Sequence, residues 1–151
     1  MARYTVRTGS SIYLNFTNSS DITKLRDAQR SIYLQVYYGN RDAEVIRTLN
    51  LIPTIASQFK GLVGGVAEFA SLLGDFAETA AADYKKSVLD GINSGYYFFN
   101  SLKWDPNYIS VKVTAPCNNM YDNNTGKYIR YINGTPFVTS KTRSDGVTIT
   151  F

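Results

Sequence analysis

The 151-residue chain contains no histidine and one cysteine, Cys117, which removes most of the side chains that do acid–base, nucleophilic or metal chemistry near neutral pH. A Ser-His-Asp or Cys-His system cannot be assembled from it. A zinc site needs three or four His, Cys or carboxylate ligands, and the twelve acidic residues are scattered along the chain. Cys117 sits between Pro116 and Asn118-Asn119 with no flanking base, the setting of a plain buried thiol. No catalytic residue, metal ligand or organic cofactor is expected, and the chain reads as a non-enzyme.

The remaining motifs each have a plainer reading. Paired carboxylates could hydrolyse glycosidic bonds without histidine, but Glu68, Asp75 and Glu78 fall on the polar side of an amphipathic segment and read as a solvated face. Asp122-Asn123-Asn124-Thr125-Gly126 alternates oxygen donors like the start of a calcium loop. Its glycine comes one position too early, however, and no glutamate follows to close the site, so a hairpin turn with Gly126 at positive φ is expected. Gly61, Gly64 and Gly65 lack the Lys-Ser/Thr pair of a phosphate loop.

A formal charge of +4 admits a nucleic-acid partner, and Lys127-Tyr128-Ile129-Arg130-Tyr131 interleaves bases with rings as single-strand binders do. On a strand, however, Lys127, Ile129 and Tyr131 share one face and Tyr128, Arg130 and Ile132 the other. The bases and rings do not form one platform, and nucleic acid is a disfavoured partner.

These residues must be positioned by a single domain, 1–151, whose apolar fraction of 44% is enough for one core. Ser11-Ile12-Tyr13-Leu14-Asn15-Phe16 and Ser31-Ile32-Tyr33-Leu34-Gln35-Val36 repeat one β-forming pattern twenty residues apart and predict two strands. Asn18 to Asp21 offer caps for a short helix from Ile22 to about Arg30, with one helix over 22–38 as the alternative. A short helix is expected over 41–49. From Ile52 the apolar residues step by three and four through Ile55, Phe59, Leu62, Val66, Phe69, Leu73, Phe76 and Ala80, with Ala56, Val63, Ala70 and Ala77 beside them. That predicts amphipathic helix, with a break at Gly64-Gly65 or Gly74-Asp75 and a stop at Asp90-Gly91 or Gly95. After Gly95 the composition turns to β over 96–99, 108–114, 127–132, 137–140 and 146–151, separated by Asn-, Asp-, Gly- and Pro-containing turns.

The order predicts an α+β fold, with an antiparallel sheet of N- and C-terminal strands packed on a central amphipathic helical segment at about 52–92. The functional expectation is a non-catalytic binding or self-assembly module of a secreted, virion or particle-associated kind, with itself or another protein as partner and no small-molecule substrate. Its apolar stripe and Tyr-rich strands nominate Phe59, Leu62, Val66, Phe69, Leu73, Phe76, Tyr128 and Tyr131 as interface residues. A membrane-active protein using the 52–80 stripe is the first alternative, and single-strand nucleic-acid binding the second. The sequence has no signal-peptide pattern and no ~20-residue apolar span, so synthesis in the cytoplasm is expected, with an extracellular or particle-associated fate left open.

Overall fold

The computed structural model describes residues 3–39 and 66–151, with the backbone alone for 66–69. The predicted helix at 41–49, the stripe positions Ile52 to Val63 and the Gly64-Gly65 break lie outside the described residues. The α+β architecture is present, with seven described strands and three described helices.

Strands β1 (Tyr4–Thr8) and β2 (Ile12–Phe16) run in succession against β4 (Cys117–Asp122) and β3 (Tyr108–Ala115). Tyr4 pairs with Asp122 and Thr8 with Asn118, then Ile12 with Ala115 and Phe16 with Val111, all antiparallel. Between the two halves, Gly9-Ser10-Ser11 lies opposite Pro116. Proline has no N–H to offer a ladder, so the ribbon breaks there, and Gly9 N–H donates to the Cys117 carbonyl at 2.9 Å. The break divides the expected single sheet into two. One has order β1-β4-β5, with β5 at Tyr128–Ile132; the other has order β2-β3-β6-β7, with β6 at Phe137–Arg143 and β7 at Thr148–Thr150. Strand β4 was not expected, because Asn118-Asn119 is a poor strand former. It forms because Cys117 and Met120 are buried in the core between two partner strands. The β4–β5 turn has Gly126 at φ +74°, as its sequence required.

Two predicted strands are helical. Residues 31–36 belong to α1 (Ser19–Tyr38), capped by Asn18, whose side chain accepts from Asp21 N–H. Ile22, Leu25, Gln29, Ile32 and Val36 repeat at helical spacing and are all buried. Burying each aliphatic side chain is worth ~1.5–3 kcal/mol, which outweighs the ~1 kcal/mol span of β-propensity. Residues 96–99 close α3 (Ala82–Ser101), which runs through Asp90-Gly91 and Gly95 without stopping. Its Val88, Leu89, Ile92 and Phe99 are buried. Helix α2 (Val66–Thr79) passes through Gly74 unbroken and ends at Ala80-Ala81. The helical layer therefore includes α1, far outside the expected 52–92.

Helix α1 packs against α2 and α3, and α3 against β5. Rings tie the layers: Phe16 to Phe99 at 6.1 Å and Tyr4 to Phe76 at 5.8 Å, both edge-on. Two buried glutamines fix α1. Gln35 Nε2 donates to the Ala70 carbonyl at 2.8 Å, and Gln29 Nε2 to the Ile92 and Ile132 carbonyls at 3.1 and 3.3 Å.

Candidate functional site

The four-stranded sheet has two faces of different chemistry, both set by the period-2 alternation of its strands. Its inner face begins in the core with Ile12, Leu14 and Phe16 of β2 and Val111 and Val113 of β3, all buried. The described helices do not extend over its far end. Lys141 pairs with Val111 on one side and Ile149 on the other, so Ile149 shares this face, with Val147 and Phe151 two residues away in either direction. All three are exposed, Phe151 to 71%, and Ile109 is exposed nearby. The Lys141 ammonium lies over the Tyr108 ring at 5.5 Å and the Phe151 ring at 5.9 Å. Strand β7 is exposed throughout and forms the end of its sheet. The result is an apolar overhang ending in a strand with one edge unpaired among the described strands.

The outer face is built from the alternate residues. Tyr13, Thr114 and Phe137 form one cross-strand row, and Asn15, Lys112, Ser140 and Thr150 the next. Thr142 and Thr148 follow, their hydroxyls 3.0 Å apart. Tyr13 is 79% exposed and Phe137 55%. Thr139, the extra residue where β6 shifts register against β3, donates its hydroxyl to the Lys112 carbonyl at 3.2 Å. A cleft of about 320 Å3 lies between Tyr13, Asn15, Lys112 and Thr139.

The nominated interface residues divide. Leu73, Phe76 and Tyr131 are fully buried in the chain's own core; Phe76 meets Tyr4 and Tyr84 edge-on, each at 5.8 Å. Tyr128 is half-buried and stacks on Tyr121 at 4.9 Å. Phe59 and Leu62 lie outside the described residues, and Val66 and Phe69 are placed by backbone alone, in the first turn of α2. The exposed aromatic and aliphatic residues of β2, β6 and β7 were not nominated. Alternation in Thr148-Ile149-Thr150 was legible, but that no described helix covers Ile149 was not.

A second aromatic feature joins residues that the sequence reading placed on a helix end, Arg30, and on two separate strands, Tyr33 and Tyr96. On α1, Arg30 lies 5.1 Å from the Tyr33 ring, which stacks on Tyr37 at 6.0 Å, while Tyr96 of α3 approaches Arg30 at 5.9 Å. Tyr33 thus meets both a cation and a second ring from within the chain.

Several ionisable groups are held by the fold. Burial pushes the Cys117 thiol from its ordinary 9.0 to about 11 and the Tyr4 hydroxyl from 10.0 to about 12, so neither is an activated nucleophile. Arg3 bridges Asp75 of α2 and Asp122 of β4 at 3.7 and 3.6 Å, tying helix to sheet. In the cleft lined by Asp105, Asn107, Tyr108 and Ser144, the Arg143 guanidinium holds the Asp145 carboxyl below its ordinary range. No group of three or more His, Cys, Asp or Glu suited to a metal ion occurs among the described residues, and no described helix is long and apolar enough to cross a membrane. No protein-family model, curated protein or solved structure matches the chain.

Proposed function

We propose that this protein is a non-catalytic self-association module that pairs through the β7 edge of its four-stranded sheet. The observation that carries the reading is the exposed run Val147-Thr148-Ile149-Thr150-Phe151, with its apolar residues on one face and its polar residues on the other. The pattern is self-complementary about Ile149. In a two-fold antiparallel pair, Thr148 faces the second copy's Thr150 and Val147 faces its Phe151, so every apolar side chain meets another across the axis. Unpaired edges with apolar side chains are otherwise an aggregation hazard, and closed pairing satisfies both the edge and the overhang.

Sedimentation velocity across micromolar concentrations tests the reading. A concentration-dependent dimer is expected, and Ile149→Lys returns it to monomer by placing two ammonium groups against each other at the axis, with the circular-dichroism spectrum unchanged. A monomer at all concentrations, or a dimer unaffected by Ile149→Lys, refutes it.

A further inference from the structure

The outer face of the same sheet, opposite the overhang, has a chemistry that self-pairing leaves unused away from β7. We infer that it is a binding site for an acidic oligosaccharide, with Tyr13 and Phe137 as stacking platforms and Lys112 as the carboxylate contact.

Three features select this ligand class. Tyr13 and Phe137 flank Thr114 in one row, two strands apart, hence ~9.6 Å at the usual strand spacing, about the repeat of a disaccharide in an extended chain. Both rings are exposed, so they can present apolar faces to the C–H faces of alternate pyranose rings. The side chains around them are nearly all hydroxyls and amides: Asn15, Thr139, Ser140, Thr142, Thr148 and Thr150. Their hydroxyls and amides both donate and accept, which is what a polyhydroxylated ligand needs. Thr139 already donates its hydroxyl to the Lys112 carbonyl, leaving its oxygen lone pairs to accept from a sugar hydroxyl.

The charge on these rows makes the sugar acidic. Lys112 is their sole charged side chain, is exposed, and has no carboxylate partner among the described residues. It borders the cleft beside Tyr13, whose volume of about 320 Å3 lies in the ~300–1,000 Å3 range of small-ligand sites. A nucleic acid would require several cations in register with its phosphates, and one lysine does not supply them.

The test is calorimetric titration of the full chain with short oligogalacturonates, alginate oligomers and sialyllactose, alongside neutral cello-oligosaccharides of matched length. At least one acidic probe is expected to bind, and its neutral counterpart about tenfold more weakly. Tyr13→Ala and Phe137→Ala should each weaken the acidic probe about tenfold. Lys112→Gln should abolish the preference for acid while retaining the weaker neutral binding. All three positions are on the surface, and circular dichroism confirms that each variant is folded. The inference is overturned if no acidic probe binds at millimolar concentration, or if binding survives both ring substitutions. It is equally overturned if the two rings prove to be needed for dimerisation while no sugar binds. Because Ile149→Lys leaves the outer face intact, sugar binding by that variant separates this site from the self-association edge.

Discussion

Gly95 of α3 lies close against both α1 and β5, and the cost of one methyl group there can be worked out. A Cβ added there would lie 2.7 Å from Gln29 Nε2 and 3.1 Å from Ile132 Cγ2. Gln29 is fully buried and cannot swing into solvent. Moving it breaks its bonds to the Ile92 and Ile132 carbonyls and strands an amide in the core. Overpacking costs ~1–3 kcal/mol and an unsatisfied buried amide ~1–3 kcal/mol. Alanine returns ~1 kcal/mol of helix propensity. The expected net destabilisation of Gly95→Ala is therefore ~3 kcal/mol, a fall in melting temperature of roughly 6–12 °C for a chain of this size. Urea unfolding followed by circular dichroism should show a lower midpoint at unchanged slope. The same substitution in a Gln29→Ala background should cost ~2 kcal/mol less, because the side chain it would strike is gone. A neutral or stabilising Gly95→Ala, or an equal cost in both backgrounds, would falsify the close-packing argument.

Two further outcomes follow from the core. Cys117 and Tyr4 have raised pKa values in the fold, so the stability they confer is complete below their ordinary values and is lost as pH rises from about 9 towards 11 and from about 10 towards 12 respectively. Cys117 should resist thiol reagents near pH 8 until urea unfolds the chain, and Tyr4→Phe should flatten the upper part of the alkaline decline; rapid labelling of the native thiol would contradict its burial. Tyr84→Phe removes the hydroxyl that accepts the Val6 N–H at 2.7 Å on β1, costing ~1 kcal/mol. Hydrogen exchange should then accelerate at Val6, with the core of α1 left unchanged.

The sequence by itself determined whatever depends on local chemistry or on composition. Lacking histidine and holding one cysteine, it cannot assemble a histidine-based catalytic system, wherever its residues fall. The turn at Gly126 was legible because a tight hairpin needs positive φ at that residue. The α+β order was legible because hydrophobic period changes along the chain. Tertiary structure decided the rest. Residues 31–36 fit a strand by propensity and a helix by spacing, and only the buried surface of α2 and α3 settles the choice. Gly95 resembles a helix stop until Gln29 and the end of β5 pack against it. Leu73 and Ile149 are both apolar residues on a regular pattern, yet one is sealed in the core and the other exposed. The difference is how far the described helices reach across the sheet, and no local preference encodes that distance.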